Sequence, residues 1–299
     1  MDIIGTVING LSLGSVYALI ALGYTMVYGI AKMLNFAHGD IIMVGSYGIF
    51  VIVQMFATQG EQTPVWVSFL GIFVALLVCV LLGVLIERVA YRPLRGAASL
   101  SVLITAIGVS FLLQSVAQMI FTADPQVISM FDLKAIQIGT LVIKIETIIT
   151  LVVGVLIMIA LTVFVNKTKT GRAMLAVSED RGAAQLMGIH VNRTIAITFA
   201  IGSALAAVAS VFYLFVSPQT SPTFGAMPGI KAFVAAVLGG IGSIPGAMLG
   251  GVLLGLVEQV ALRYETVSPY ADAIVYGILF VVLLVRPSGL LGKKRHEKV

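Results

Sequence analysis

Charged residues are scarce in this sequence. Asp, Glu, Lys and Arg make up only 10% of its 299 residues, whereas 59% are hydrophobic. Soluble domains carry about 25% charged residues, so this composition excludes a soluble domain. Apolar runs of about 20 residues recur along the chain, and each is long enough to cross about 30 Å of hydrocarbon. The sequence therefore predicts an all-α polytopic membrane protein, because a helix satisfies its own backbone groups in lipid.

Other features that the sequence lacks exclude several kinds of site. Its one cysteine, Cys79, rules out an internal disulfide framework. It has three histidines, and no second one lies at ligand spacing from His38, so we expect no metal site. The stretch "GLLGKKRH" has neither the spacing nor the Ser or Thr of a P-loop, so we expect no ATP hydrolysis by this chain. The formal charge of +5 is interpreted as a topology signal, with no nucleic-acid partner expected.

The apolar runs divide the chain into about eight crossings. The predicted spans are Ile3–Ile30, Ile41–Ala57, Trp66–Ile86, Ser101–Phe121, Glu146–Val165, Ile195–Val216 and Asp272–Val285. The glycine-rich tract Gly229–Leu262 is too long for one simple helix and too short for two complete ones, which indicates broken or half helices. Residues 122–145 alternate enough to suggest a small hairpin.

The basic residues indicate an orientation. Lys and Arg cluster in the connections 88–95, 167–193 and 286–298, whereas 58–65 and 217–227 contain none. Because short cytoplasmic loops carry an excess of Lys and Arg, we expect the N-terminus outside and the C-terminus inside.

Two stretches are expected to interrupt helices inside the bundle. In "GGIGSIPGAMLGG" (Gly239–Gly251), glycine and proline break a helix, which lipid tolerates only where the freed backbone faces protein or a watery cavity. Paired broken helices near the midplane are a recurring construction in transporters. Gly240, Gly242 and Ser243 are therefore candidate residues of a solute path.

The second interruption is "KMLNFAHGD" (Lys32–Asp40), which allows two interpretations. It is either a tight cytoplasmic turn with Asp40 at the N-terminus of the next helix, or an irregular half-helix whose Asn35 and His38 touch the solute path.

Polar residues inside the spans are few. Glu258 lies about one turn from Arg263, which favours an ion pair or snorkelling, and Lys231 is expected near a span end. Gln114 and Gln118 are one turn apart and either join helices or face a polar cavity. The sequence shows no series of buried carboxylates such as a proton-driven pump would need.

The segment Lys167–Thr194 is charged and rich in small residues. Ser178 is a candidate N-cap, Glu179 and Asp180 would lie in the first turn, and Gly188 would end the helix. This predicts a helix of about nine residues and about 14 Å. Such a short helix needs a surface to pack against, which is either another cytoplasmic subunit or this protein's own bundle or the lipid.

Five stretches resemble the LivH-type permeases of bacterial branched-chain amino acid ABC importers. In chain order they are Asn9–Asp40, Arg92–Ala97 ("RPLRGA"), Gly171–Ile189 ("GRAMLAVSEDRGAAQLMGI"), Gly229–Gly251 and Arg286–Gly292 ("RPSGLLG"). The resemblance covers nearly the whole chain. It implies one transmembrane permease domain over residues 1–299, with a coupling segment at 167–194 and a cytoplasmic tail at 287–299.

The resemblance also implies how the chain works with partners. In ABC importers a permease loop with an E-A-A-x-x-x-G core docks into the ATPase. Here Ala183, Ala184 and Gly188 keep that spacing, Gly182 stands in the position of the Glu, and Arg181 precedes it. Residues 178–188 are thus expected to contact the ATPase.

The implied assembly lies in the bacterial cytoplasmic membrane. It contains a second homologous permease, two cytoplasmic ABC ATPases that bind ATP-Mg, and an extracytoplasmic solute-binding protein, with no cofactor on this chain. The implied function is import of branched-chain or other neutral amino acids. An ion-coupled secondary transporter, a channel and an ABC permease for urea or amides are the alternatives.

Overall fold

The computed structural model describes residues 3–56, 63–131, 135–138 and 141–292. Eleven α-helices occur in these residues: α1 Ile3–Ala31, α2 His38–Phe56, α3 Val65–Ile86, α4 Ser99–Phe121, α5 Ile145–Lys167, α6 Lys169–Glu179, α7 Arg181–Leu186, α8 Val191–Val216, α9 Ala226–Gly239, α10 Ile244–Arg263 and α11 Ala271–Val285. A π-helical turn and a 3-10 turn extend α3 to Leu94, and a 3-10 turn precedes α11. The predicted all-α class is confirmed.

Eight helical segments in the described part of the chain are long and apolar enough to cross a membrane. They are built on α1 to α5, α8, α10 and α11, while α9 is a shorter apolar helix of 14 residues. The prediction of about eight crossings with a half helix in the glycine-rich tract is therefore confirmed. The last residues of the predicted tail, 293–299, lie outside the described residues.

Helix α1 forms the centre of the bundle and packs most closely against α10. The two helices run antiparallel, and Gly14 of α1 lies against both Val252 and Gly255 of α10. A Cβ placed at Gly14 would lie 2.8 Å from the Cα of Val252. Glycine is needed at these positions because the two backbones approach almost to contact. By contrast, α4 and α11 lie at the periphery, where only 17% and 11% of the residues in each span are buried.

Four short strands lie at one end of the bundle. β2 (Ile136–Ile138) and β3 (Leu141–Ile143) form the antiparallel hairpin that the sequence predicts. β1 (Gln126–Val127) pairs with β4 (Gln219–Thr220), a contact that the sequence does not indicate. The hydroxyl of Thr63 also donates a hydrogen bond of 2.7 Å to the carbonyl of Ser129. The connections with few or no basic residues are therefore held together at the same end.

The predicted break in the glycine-rich tract separates α9 from α10. Gly240 and Gly242 adopt φ values of +106° and +96°, which favour glycine. The Ser243 hydroxyl then accepts a hydrogen bond from the Gly246 N–H at 3.2 Å and caps α10. The chain after α11 covers this break, because the Leu290 N–H donates to the Leu238 carbonyl at 2.8 Å.

Candidate functional site

The charged segment after α5 folds as two short helices. The Thr168 hydroxyl accepts a hydrogen bond of 2.9 Å from the Gly171 N–H and starts α6 at Lys169. Met174 and Val177 are buried three residues apart on the face of α6 that packs against the bundle. This buried face fixes α6 on the membrane domain, and α7 follows it directly.

The predicted N-cap at Ser178 is wrong. Ser178 lies in the last turn of α6, where its hydroxyl donates to the Leu175 carbonyl at 2.7 Å, and Glu179 is the last residue of that helix. Asp180 is the true cap, since its Oδ1 accepts a hydrogen bond from the Ala183 N–H at 3.0 Å. The amphipathic pattern of α6 continues the helix past Ser178, so α7 has six residues instead of about nine.

The predicted end of the helix at Gly188 is confirmed. Gly188 has a φ of +80°, and its N–H donates to the Gln185 carbonyl at 3.0 Å. The Ile189 N–H donates to the Ala184 carbonyl at 3.0 Å, which completes a Schellman motif. Asp180 and Gly188 together fix both ends of α7.

Helix α7 presents apolar side chains away from the bundle. Ala184 is buried, whereas Leu186 and Met187 are 91% and 83% exposed. Gly182 and Ala183 are also exposed. These four exposed residues, which we call the α7 knob, form a small apolar surface on a short, doubly capped helix. An exposed apolar surface is typical of a contact with another protein or with lipid.

Polar contacts attach the α7 region to the end of the bundle. The Arg181 guanidinium donates to the backbone carbonyl of Ala31, the last residue of α1. Nearby, Arg95 contacts both the Glu87 carboxylate and the Asn192 side chain. Burial lowers the pKa of Arg95, and the adjacent Glu87 carboxylate opposes this shift. Arg181 thus links α7 to the end of α1.

The segment before α2 combines features of the two sequence interpretations. Asp40 lies in the first turn of α2, while Asn35 and His38 are buried. The Tyr91 hydroxyl donates to Asn35 Oδ1 at 2.9 Å, and the His38 ring packs on Tyr24 with centroids 4.7 Å apart. His38 Nε2 has no hydrogen-bond partner among the described residues.

The position of His38 places the start of α2 inside the bundle. Tyr24 lies seven residues before the end of α1 at Ala31, which is about 10 Å at 1.5 Å per residue. The backbones of Gly39 and Gly225 are also in contact, so the N-terminal ends of α2 and α9 meet. Discontinuous helices that meet in this way are typical of transporters.

The other predicted path residues lie among protein atoms. Gly240 packs against Gly292, and the Cα of Gly242 lies 3.2 Å from a Cβ placed at Gly29 of α1. A cavity of about 360 Å³ occurs elsewhere, beside β1 and the end of α8. None of the five predicted path residues lines that cavity.

Glu258 forms an ion pair, as one of the two sequence interpretations expects, but its partner is not Arg263. Glu258 Oε1 accepts a hydrogen bond of 2.7 Å from the Lys231 ammonium, whose nitrogen also lies 2.7 Å from Asp272 Oδ1. Lys231 is only 8% exposed, and its partner Asp272 lies in the first turn of α11, so the ion pair is close to the end of a span. Residues five apart point about 140° away from each other on a helix, whereas antiparallel α9 and α10 bring Lys231 to Glu258.

Sequence reasoning did not identify a second buried polar contact. Gln114 Nε2 of α4 donates to Asp40 Oδ1 of α2 at 2.8 Å. The sequence allowed Gln114 to join helices and placed Asp40 at a helix start, but no sequence pattern indicated that these two residues are in contact. The contact requires α4 to lie beside α2, which only the fold determines.

Broken helices that meet inside a bundle of apolar helices are typical of integral membrane transport proteins. Comparisons with known proteins identify the family. The profile of the family described as "Branched-chain amino acid transport system / permease component" matches residues 6–284. The chain belongs to this family.

Two relatives are similar over nearly their full length. The chain is 44% identical over 297 residues to the high-affinity branched-chain amino acid transport system permease protein BraD of Pseudomonas aeruginosa, covering 98% of this chain and 96% of the relative. It is 43% identical to the corresponding permease protein LivH of Escherichia coli K12, covering 97% and 96%. No solved structure matches.

A more distant relative belongs to an archaeon. The probable branched-chain amino acid transport permease protein LivH of Methanocaldococcus jannaschii is 28% identical, covering 92% of this chain and 88% of the relative. The chain is thus a multi-pass permease subunit of an ABC transport system and not an enzyme. Permeases of this kind work with ATPase and solute-binding partners.

Proposed function

We propose that this chain is the permease through which an ATP-driven importer moves branched-chain amino acids into the bacterial cytoplasm. The observation that carries the proposal is the 44% and 43% identity, over nearly the full length, to permeases named for branched-chain amino acid transport. Both of these relatives are named for branched-chain amino acids, so an amino acid is the solute that we propose.

The α7 knob is the proposed contact with the ATPase. Leu186 and Met187 are largely exposed, and the capped helix that carries them is tied to α1 through Arg181. ATP-Mg binds to two ATPase subunits, and closure of these subunits displaces α7 and with it the end of α1. Asp180 and Gly188 hold the helix in shape, while Ser178 and Glu179 belong to the supporting helix α6.

The proposed orientation places α7 in the cytoplasm and the N-terminus outside. Arg95, Arg181 and Asn192 lie together near the end of α1, at the opposite end from the β1–β4 pair. This separation agrees with the excess of basic residues in cytoplasmic loops. A second homologous permease completes the membrane channel, and a solute-binding protein delivers the amino acid from outside.

The proposal is tested by transport with the whole assembly. The chain is co-expressed with its permease, ATPase and binding-protein partners, reconstituted in proteoliposomes, and supplied with radiolabelled leucine. We expect uptake that requires ATP and the binding protein. Uptake driven by an ion gradient without the ATPase would instead identify a secondary transporter, and uptake of urea in place of leucine would identify an amide permease.

A further inference from the structure

A line of polar side chains follows the contact between α2 and α4. It consists of Asp40 and Tyr47 on α2 and of Ser110, Gln114 and Gln118 on α4, and we call it the α2–α4 seam. Gln114 Nε2 donates to Asp40 Oδ1 at 2.8 Å and lies 3.2 Å from the Ser110 hydroxyl. The seam thus joins a peripheral helix to the interior of the bundle through polar atoms.

Asp40 is a buried carboxylate without a cation. It is only 2% exposed, and no Lys, Arg or His within the described ranges forms a salt bridge with it. The amide of Gln114 and the N-terminal end of α2 stabilise its charge in part. Lys231, by comparison, contacts two carboxylates. A buried ionisable residue inside a membrane protein, without an opposite charge beside it, is a candidate functional site.

The polar residues of α4 extend from the exposed Gln118 to Gln114, which contacts Asp40. Ser110, Gln114 and Gln118 follow one another at intervals of four residues, so they share one face of α4. Gln118 is exposed near the end of α4 that precedes β1, whereas Gln114 is half-buried. The two helices are in contact along this line, so a solute would reach Asp40 from this end only when α4 moves away from α2.

Tyr47 adds an independent sign that the seam accommodates a polar ligand. It is 3% exposed, and its ring stacks on Phe121 of α4 with centroids 4.2 Å apart. Its hydroxyl is buried and has no hydrogen-bond partner among the described residues. Because such a buried hydroxyl costs free energy unless it finds a partner, a passing polar solute would satisfy it.

The surroundings of Asp40 suit a zwitterion. The N-terminal ends of α2 and α9 meet at Gly39 and Gly225, directly beside Asp40. Helix N-terminal ends are positively polarised and favour a carboxylate, whereas the Asp40 side chain favours an ammonium group. An amino acid carries both groups, so its ammonium group would match the Asp40 carboxylate and its carboxylate would match the positively polarised end of α9.

We propose that Asp40 binds the α-ammonium group of the amino acid during its passage along the α2–α4 seam. This inference rests on the proposed function, because it assumes that the transported solute carries an ammonium group. α4 has few buried residues in its span, so a small displacement of α4 opens the seam without dismantling the central helices.

The test compares three variants in the complete reconstituted transporter. Asp40→Asn keeps the side-chain shape and one acceptor oxygen for Gln114 but removes the charge, and Asp40→Glu keeps the charge. The matched control, Asp124→Asn, makes the same carboxylate-to-amide change in an exposed loop. ATP-dependent leucine uptake and co-purification of the partner subunits are measured for each.

Asp40→Asn is expected to assemble normally and to lower the maximal uptake rate about tenfold or more, because it removes a charge-assisted contact to the solute. The dependence on binding-protein concentration should be unchanged, since docking occurs outside. Asp40→Glu should retain more uptake than Asp40→Asn, and Asp124→Asn should match the wild type.

Three results would overturn the inference. These are wild-type uptake by Asp40→Asn, equal impairment of Asp40→Asn and Asp40→Glu, and loss of assembly in Asp40→Asn, which would make the carboxylate purely structural. Wild-type uptake of leucine is measured first. Its absence would refute the proposed function, whereas its presence together with an active Asp40→Asn variant would refute only the role of Asp40.

Discussion

At the scale of single residues, the buried charges fall into two kinds. Lys231 is neutralised by Glu258 and Asp272, which lie on the two neighbouring helices α10 and α11. Asp40 receives a hydrogen bond from an amide but no salt bridge within the described part of the chain. A charge held by opposite charges stabilises one arrangement of helices, whereas an unpaired carboxylate is available to a ligand.

Removal of Lys231 should therefore destabilise the protein. In Lys231→Met, the buried Glu258 carboxylate loses its partner, so we expect the free energy of unfolding to fall by about 3–5 kcal/mol. The decrease should lie toward the lower limit, because the other partner, Asp272, is 47% exposed and remains hydrated. Thermal unfolding in detergent measures the change. Lys169→Met, the same substitution at an exposed position, is the control.

The double variant Lys231→Met/Glu258→Gln should recover part of that loss, because it no longer buries an unpaired charge. Equal unfolding temperatures for Lys231→Met and the wild type would show that this ion cluster does not hold α9 in place.

At the scale of elements, the functional features are where helices begin and end. α2 and α9 both start inside the bundle, and α7 is capped at both ends by Asp180 and Gly188. Helix ends carry unsatisfied backbone groups and partial charges, whereas the middle of a helix is electrically neutral. Short, interrupted helices therefore provide the places where solute and partner proteins can interact.

The α7 knob provides a prediction at this scale. We expect Leu186→Asp/Met187→Asp to abolish ATPase retention and ATP-dependent uptake, because the exposed apolar surface becomes charged while buried Ala184 is unchanged. Co-purification of the ATPase and leucine uptake are the measurements. The control is Val127→Asp, which alters an exposed apolar residue of β1 at the other end of the bundle. A double variant that retains the ATPase at wild-type levels would exclude the knob as the docking surface.

At the scale of the whole molecule, the bundle has two dissimilar ends. One end holds the β1–β4 pair and the β2–β3 hairpin, and the other holds the helix pair α6–α7 with its basic neighbours. A vectorial transporter needs such a difference, because solute delivery and ATP hydrolysis occur on opposite sides of the membrane.

The orientation is testable by labelling cysteines in intact cells. Cys79 is fully buried and should not react with a membrane-impermeant maleimide, so it need not be replaced. Val127→Cys should be labelled from outside, whereas Leu186→Cys should react only after lysis. The reverse pattern would place α7 outside and refute the orientation proposed here.

Much of the architecture follows from the sequence by itself. Low charge and long apolar runs determine the membrane class and the approximate spans, because hydropathy depends on residues that are consecutive in the chain. The break at Gly240 to Ser243 and the helix end at Gly188 were also predictable, since the conformational freedom of glycine is a local property.

The tertiary structure decided which distant residues meet. The partner of Glu258 is Lys231 instead of Arg263, Asp40 meets Gln114, and β1 pairs with β4. The N-cap of α7 is Asp180 and not the predicted Ser178, because burial of α6 against the bundle extends α6 past Ser178. These outcomes depend on how helices are rotated and packed against one another, which no local pattern encodes.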